Sequence, residues 1–583
     1  MPYELRVSLR SETPVVGYEL NPSASCYSTD LTEIPNYSFK FNWYRLQSDE
    51  RIICSVHHFE IATFQCMCCV TLKIPIKESY HCSAKCFFDK WQNHRIRHLN
   101  AAAALCRTKK GDDQSFKSLR SCGSWPSLGS WSSFEKCSVI NMNAVMVEGG
   151  GGSWLKVGSS KTYIPSMDDF GYKLKLESQA IDCKEGNLLT PMKVIVMDPV
   201  IVAPVPSPRY MIPIGPLDGF SNFSLESRAC VAGTFSVLSY NVLADFYVNK
   251  EIYNFCPTWA LTWEYRRQNL LREIIGYKAD IICLQEVQSD HFEDFFKPEL
   301  VKRGYSVVYK KKTVELYTGK YTSEGCATFF LHDRFRENEK YELEFGKIAR
   351  TVVESLKPSQ RTIDCGRLMK DNVALIVILE AMENGAVSDT LDYRICVANT
   401  HVSANPYLTD VKLWQVATLI NGLEEIADSH IPVLICGDLN SLPGSAPHDL
   451  LIMGSVNHNH EELAGAPVEI FQHLKLSHQL PLVSAYSSLS RTYSGDSISE
   501  QQQIKMNPET NEPHFTIVTP YFLGAIDYIF YTADRLAVEG LLELLDVQSA
   551  TKYTALPSPL WSSDHIALMA KFSLKPASKD RTS

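Results

Sequence analysis

The chain has 583 residues, enough for several domains of roughly 150 residues, or for one large domain with appendages. Its 45% apolar, 11% aromatic and 21% charged residues are those of a folded protein and exclude a disordered one. A net charge of −9, from 57 Lys and Arg against 66 Asp and Glu, argues against a protein held on nucleic acid by bulk positive charge, but leaves room for a site that meets phosphates through a bound metal.

Met1 to Leu20 carries Glu4, Arg6, Arg10, Glu12 and Glu19 and no apolar stretch, so no secretory signal is expected. Val373 to Leu379, the longest apolar run of the second half, is seven residues, against about 20 for a bilayer span. A soluble, intracellular chain with no membrane partner is expected. Residues 1–50 are otherwise mixed and carry no signal.

Residues 51–100 hold a Cys/His cluster. Ten of the 18 cysteines fall before residue 138, and without an export signal such clustering points to metal rather than disulfides. Cys54-x2-His57, Cys66-x2-Cys69, Cys82-x3-Cys86 and His94-x3-His98 form four paired knuckles. Tetrahedral zinc takes four sulfur or imidazole ligands, so these eight residues suit two closed, structural Zn2+ sites. His94 and His98 share one face of a helical segment. Cys68 competes with Cys66 or Cys69.

The spacing from Tyr80 through Cys82, Cys86, Trp91 and His94 resembles a MYND zinc finger, with His57 and His98 standing where that family has cysteines. The resemblance implies cross-bracing, with Cys54, His57, Cys82 and Cys86 on one ion and Cys66, Cys69, His94 and His98 on the other. It also implies a surface for short proline-containing peptides.

Residues 101–138, rich in Ser, Gly and Lys, read as a linker. Residues 139–226 alternate short β-like pieces (Ser138 to Val147, Lys173 to Glu177, Val194 to Val202) with Gly and Pro punctuation, which suggests a small β-sandwich followed by a Pro-marked linker.

From Phe235 the rhythm becomes strand, helix, strand. Thr234 to Ser239 is an apolar strand that ends at Tyr240-Asn241, and Trp263 to Tyr277 has helical spacing. Asp280 to Leu284 leads to Gln285-Glu286, and Tyr393 to Asn399 leads to Thr400-His401. Val411 to Ala427 is a helix. Ile431 to Cys436 ends in Gly437-Asp438-Leu439-Asn440. Ala525 to Tyr531 contains Asp527, and Asp564-His565 precedes the last strand, Ile566 to Phe572. Interleaved strands and helices over residues 230–575 suggest a layered α/β domain, with residues 576–583 as a tail.

One pattern recurs in this region: apolar strands deliver polar groups at their ends. A carboxylate ending a buried strand is costly unless it is paired or bound to metal. Carboxylate and amide oxygens are the hard ligands that Mg2+ prefers, and Mg2+ keeps waters for a phosphate to displace. Taken singly, Glu286 reads as a solvated strand end, Asp438-x-Asn440 as an Asx-turn, Asp564 as a loop residue and His401 as a core histidine. Their joint occurrence points to catalysis.

Ser239-Tyr240-Asn241-Val242-Leu243, Leu284-Gln285-Glu286-Val287, Asn399-Thr400-His401, Gly437-Asp438-Leu439-Asn440-Ser441, Ile526-Asp527-Tyr528-Ile529-Phe530 and Ser563-Asp564-His565 stand in the order of the exonuclease–endonuclease–phosphatase superfamily. Within it, Cys326-Ala327-Thr328-Phe329-Phe330, Lys370-Asp371-Asn372-Val373-Ala374 and Ser441-Leu442-Pro443 look like the carbon catabolite repressor 4 deadenylases. The resemblance implies a four-layer α/β/β/α sandwich that trims messenger poly(A) tails from the 3′ end and releases 5′-AMP.

Carried over residue by residue, the resemblance makes Glu286 the main magnesium ligand, with Asn241 and Asp438 near it. Asp438 and Asn440 orient and deprotonate the attacking water. His565, steered by Asp527 or Asp564, stabilises the pentavalent phosphorus, and His401 binds the scissile phosphate. One or two Mg2+ ions remain open. Pro406 and Phe522 match adenine-contacting positions, and Asn372 and Asn440 join them as substrate residues. Tyr521-Phe522 alone would read equally as strand-packing aromatics, and Lys310-Lys311-Lys312 reads as a solvated turn.

A finger ahead of this nuclease resembles the plant members of the family. The expected partners are poly(A) RNA and, through the zinc module, a Caf-type deadenylase and the Not scaffold. The expected location is the cytoplasm and its processing bodies, with a nuclear fraction. Alternatives are another metal-dependent phosphodiesterase or phosphatase of the same fold, or an inactive scaffold. The presence of every expected polar group disfavours the scaffold.

Overall fold

Polar residues at strand ends are useful only if the strands themselves are held between layers, and the computed structural model has that arrangement. It describes residues 3–29, 35–47, 54–57, 60, 64–65, 69, 78–90, 94, 96–98, 153–214, 233–312, 323–355, 363–383, 386–387, 393–426, 431–457, 459–464, 471, 474–491 and 497–575. The chain divides into two compact units, Met1–Ala203 and Pro204–Ser583. Among the described residues no helix is long and apolar enough to cross a membrane.

In the first unit, β1 (Tyr3–Ser8) and β2 (Ser23–Ser28) pair antiparallel, and β3 (Tyr37–Gln47) runs on from them. The short pair β4 (Phe64–Gln65) and β5 (Tyr80–His81) lies in the cysteine-rich stretch. Then come β6 (Ser153–Gly158), β7 (Lys173–Asp182) and β8 (Lys193–Pro199). The sheet order is β6-β3-β7-β8. Alternate residues of β7 turn inward, as a half-buried strand requires. Leu174 and Leu176 pack there with Phe41, Trp43 and Met197, and with Leu5 and Val7 of β1.

β3 of the N-terminal segment lies between β6 and β7, so that segment shares one sheet and one core with the described strands of residues 153–199. The boundary between the units falls at 203/204, at the start of the Pro-marked linker. The linker at 101–138 and the expected strand Ser138 to Val147 lie outside the described residues.

The second unit lays down β9 (Met211–Pro213), β10 (Thr234–Asn241), β11 (Ile281–Gln288), β12 (Tyr305–Lys311) and β13 (Glu324–Leu331). It continues with β14 (Phe335–Glu344), β15 (Val373–Glu383), β16 (Ala386–Val387), β17 (Arg394–His401), β18 (Val433–Asp438) and β19 (Leu482–Ser484). The short pair β20 (Ile517–Val518) and β21 (Leu523–Gly524) precedes β22 (Asp527–Thr532), β23 (Leu536–Leu542) and β24 (Leu568–Leu574). One sheet has the order β12-β13-β11-β10-β24-β23-β9. The other has β14-β15-β17-β18-β22-β19, with β16 on β15.

Three apolar clusters define the layers. Ile281 and Cys283 of β11 meet Leu375, Val397, Leu434 and Cys436 of the opposite sheet. Ile282 and Leu284, pointing the other way, pack with Leu270 and Ile274 of the helix Trp263–Tyr277. On the far side, Trp414 and Ile420 of the helix Thr409–Ile426 cover Ile376, Ala398 and Ile435. The result is the expected α/β/β/α sandwich. Central strands buried on both faces explain why these segments read as continuous apolar runs rather than alternating ones. Burying each large aliphatic or aromatic side chain here contributes roughly 1.5–3 kcal/mol.

Candidate active site

Strand register does the first part of the assembly. His401 is paired with Asp438 across the parallel β17/β18 ladder, and Asp438 with Asp527 across the antiparallel β18/β22 ladder. Residues directly opposite one another present their side chains on the same face, about 5 Å apart. Three strands therefore set His401, Asp438 and Asp527 in a row, and Asp527 is the first residue of its strand rather than lying within it. Gly437 permits this: its φ is +152°, and a Cβ there would lie 2.0 Å from the carbonyl oxygen of Thr400.

The facing sheet brings the other half. Asn241 is the last residue of β10 and fully buried. Its Oδ1 accepts from the Leu243 N–H at 3.0 Å. Its Nδ2 donates to Glu286 Oε1 at 3.0 Å and to Asp438 Oδ2 at 3.1 Å, so carboxylates from both sheets meet on one amide. Glu286 reaches inward because the β11/β13 register shifts between Leu284 and Val287, with Glu286 at φ 55°. Its second oxygen accepts from the Ala244 N–H at 3.0 Å. Leu243 and Asn440 also have positive φ (56° and 48°), a backbone cost concentrated around one cluster.

His565 completes the row. Its Nδ1 lies 2.8 Å from Asp527 Oδ2, and its Nε2 lies 3.7 Å from Asp438 Oδ2. The alternatives for its partner thus separate: Asp527 holds the ring, while Asp564 is 4.0 Å from Nε2 and accepts instead from the Tyr253 hydroxyl at 2.8 Å. His401 Nε2 sits 3.6 Å from Asp438 Oδ2 and 4.0 Å from Glu286 Oε1. Its buried Nδ1 has no hydrogen-bond partner among the described residues. Asn440 donates its backbone N–H to Asp438 Oδ1 at 2.8 Å and its side-chain amide to the Val402 carbonyl at 3.0 Å.

The expected substrate residues behave differently from one another. Pro406 is exposed, and Phe522 is exposed beside the still more exposed Tyr521. Asn372 is buried and engaged by the chain itself. It donates to the His401 carbonyl at 2.9 Å and accepts from Gln415 Nε2 at 3.3 Å, which supports the end of β17.

Burial and like charge set the protonation. The Asp438 carboxyl is pushed up to about 7 by burial and by Asp527, against the pull of His565. Glu286 is raised to about 7 by burial, then by Glu324 and Asp564. Burial and the neighbouring cations Lys312 and His565 hold His401 well below the usual imidazole range. Burial would lower His565 too, but Asp527 and Asp438 raise it well above that range.

The donor set fits a divalent cation. Glu286 and Asp438, from opposite sheets, bring carboxylate oxygens together at the Asn241 amide, and the cationic His565, held by Asp527, stands beside them. The two raised carboxylates meeting on the Asn241 amide are hard oxygen donors that a cation would keep ionised.

Two neighbours escaped the sequence reading. Lys312 is buried and ion-paired with the buried Glu324, so the basic run is not a solvated turn. Lys310 pairs with Glu342 at 2.9 Å and Glu344 at 2.8 Å. Thr516 donates to Asp527 Oδ2 at 2.6 Å while accepting from the N–H groups of Ile526 and Asp527 at 3.0 Å. Neither left a signal in the sequence: a lysine in a basic run reads as solvated, and the threonine stands in no motif.

In the cysteine-rich stretch, Cys54, His57, Cys82 and Cys86 converge, as do Cys69, His94 and His98. Cys54 Sγ lies 3.7 Å from Cys86 Sγ, and His57 Nδ1 lies 3.2 Å from Cys82 Sγ. Zn–S bonds of about 2.3 Å at tetrahedral angles set sulfur–sulfur edges near 3.8 Å, so the first group fits zinc. In the second, His94 Nε2 and His98 Nε2 lie 3.1 and 3.2 Å from Cys69 Sγ. Cys66, the expected fourth member, lies outside the described residues, as does Cys68.

Residues 238–565 match the endonuclease/exonuclease/phosphatase family. Carbon catabolite repressor protein 4 homolog 1 of Arabidopsis thaliana is 48% identical over 596 residues, covering 99% of this chain and 98% of that one. Homolog 2 of the same organism is 46% identical over 600 residues, covering 99% of each. The CCR4-Not complex 3'-5'-exoribonuclease subunit Ccr4 of Schizosaccharomyces pombe is 33% identical over 369 residues, 58% of this chain and 49% of that protein.

Proposed function

The chain belongs to the carbon catabolite repressor 4 family, and from that premise we propose that it is a magnesium-dependent 3′-to-5′ exoribonuclease that shortens poly(A) tails and releases 5′-AMP. The observation that carries the reading is the convergence of Glu286 and Asp438, from opposite sheets, on the Asn241 amide, with His401 and His565 beside them.

Glu286 and Asp438 would hold Mg2+, with the Asn241 amide positioning both carboxylates; the ion when bound polarises the phosphoryl oxygens and makes water a better nucleophile. Asp438 takes the proton of that water, and Asn440, whose backbone N–H holds Asp438 Oδ1, helps to align it. His565, kept cationic by Asp527, faces the oxygens that gain charge at the pentavalent phosphorus. His401, neutral at ordinary pH, steadies the scissile phosphate by hydrogen bonding. Water attacks phosphorus, the bond to the 3′ oxygen of the penultimate nucleotide breaks, and that oxygen takes up a proton. Pro406 and Phe522 would sandwich the departing adenine, a contact worth roughly 1–3 kcal/mol per base.

The work belongs within a CCR4-Not assembly, of which the fission-yeast relative is named a subunit. We assign the zinc module to docking: two closed sites built on Cys54, His57, Cys82 and Cys86, and on Cys66, Cys69, His94 and His98, would stiffen a surface for a proline-containing segment of a Caf-type deadenylase, which in turn joins the Not scaffold.

The deciding assay uses purified protein with 5′-labelled oligo(A), oligo(C) and oligo(U), with magnesium or with chelator. Fast, magnesium-dependent loss of oligo(A), abolished in Glu286→Gln with the fold intact, is the expected result. Equal rates on all three homopolymers would overturn poly(A) selectivity, and full activity of Glu286→Gln would overturn the metal assignment.

A further inference from the structure

Phe246 and Tyr247 are 46% and 44% exposed, with ring centroids 4.4 Å apart and planes 64° to one another, edge to face. Two adjacent large aromatic rings left half in water mark a surface that meets something apolar and flat. They are also firmly mounted. Both lie on the 3-10 turn Asp245–Tyr247, which begins four residues after Asn241. The Ala244 N–H just before it donates to Glu286 Oε2 at 3.0 Å, and the Phe246 N–H donates to Gln288 Oε1 at 3.1 Å. The Tyr247 hydroxyl lies 3.5 Å from Glu324 Oε1. The turn is thus tied to the strand that presents Glu286, and its rings keep a fixed place relative to that carboxylate.

We propose that Phe246 and Tyr247 form a stacking platform for the base immediately 5′ of the scissile phosphate, that of the penultimate nucleotide. This rests on the exoribonuclease reading of the same site. Topology supplies the direction. Pro406 and Phe522, assigned to the 3′-terminal base, sit on loops of the sheet that carries His401, Asp438 and Asp527. Phe246 and Tyr247 sit on a loop of the other sheet, the one that carries Asn241 and Glu286. A strand whose last base lies on the first rim and whose scissile phosphate lies between the sheets continues over the second rim. Single-stranded nucleic acid is gripped on such faces by stacking, which tolerates any base. The penultimate ribose carries the leaving 3′ oxygen, so fixing its base also fixes that oxygen for departure.

The test pairs oligo(A) with the same oligomer carrying an abasic ribose at the penultimate position, using the full-length chain. The wild type should show a KM about tenfold higher on the abasic substrate, the scale of one base–aromatic stack. Phe246→Ala with Tyr247→Ala should process both substrates alike. Tyr247→Phe, which keeps the ring and loses the hydroxyl, should still discriminate. If the double variant misfolds by circular dichroism, Phe246→Ala alone should reduce the ratio. Discrimination unchanged in a folded variant lacking the rings overturns the platform and leaves the exoribonuclease reading standing. Failure of the wild type to shorten any oligo(A) overturns that reading, and the platform with it.

Discussion

His565 Nδ1 lies 2.8 Å from Asp527 Oδ2, while the other ring nitrogen faces Asp438 at 3.7 Å, so one carboxylate anchors the imidazole and leaves its working edge toward the cluster. Asp527→Asn should therefore lower kcat by about a hundredfold or more, within the usual range for general acid–base groups, with KM on oligo(A) changed little. Asp564→Asn, which loses a partner of Tyr253 instead, should cost less than about tenfold. Steady-state kinetics of the two variants separate the roles, and equal losses would contradict the assignment.

Metal-linked stability should depend on pH in a definite sense. Glu286 and Asp438 have folded-state values raised to about 7. A carboxylate raised on folding stabilises the chain below its unfolded value of about 4, and that stability drains away as pH climbs through about 7. Metal-free protein should thus melt lower at about pH 8 than at about pH 6, and saturating magnesium should raise the melting temperature more at the higher pH, where fewer protons compete. A magnesium shift that is larger in acid would contradict the cation site.

How much of this was legible from the chain is clear from particular residues. Asn241, Glu286, His401, Asp438 and His565 each follow or adjoin an apolar run, and a polar group at the end of a buried strand is visible without coordinates. The choice between Asp527 and Asp564 was not, because it depends on which strand lies beside β18. Nor was the pairing of Tyr37–Gln47 with Ser153–Gly158: partners more than a hundred residues apart leave no local trace. Lys312 was hidden for a different reason, since a lysine run looks solvated until a carboxylate from another strand meets it in the interior.

That buried pair makes its own prediction. Burial alone would lower the Lys312 ammonium, but the charge of Glu324 raises it. Lys312→Met leaves an uncompensated carboxylate and should destabilise the fold by about 3–5 kcal/mol, with Lys312→Met plus Glu324→Gln recovering most of the loss. Denaturant melts of the single and double variants measure the difference.

Gly437→Ala should be severe for a local reason. The added methyl would meet the Thr400 carbonyl at 2.0 Å from a backbone angle of +152°. A loss of at least about 2 kcal/mol is expected, together with loss of oligo(A) cleavage, because His401 and Asp438 sit on the two strands forced apart. Thermal melting and activity assays check both.

Zinc analysis should find two ions per chain, one for each Cys/His group. Cys82→Ser with Cys86→Ser should release one of them and abolish capture of a Caf-type partner, while oligo(A) turnover stays within about twofold, since closed sites supply no catalytic position. Partner capture that survives the change would contradict the docking role.

Gln47, the last residue of β3, is paired with Ser153, the first of β6. These facing ends of neighbouring strands, about 5 Å apart, are the points where the chain leaves the sheet ahead of the Cys/His groups and rejoins it after them. Joining Gln47 to Ser153 by a tight turn in place of the residues between them should yield a shortened chain in which β3 and β6 still pair, and the same seam offers a place to graft a foreign module.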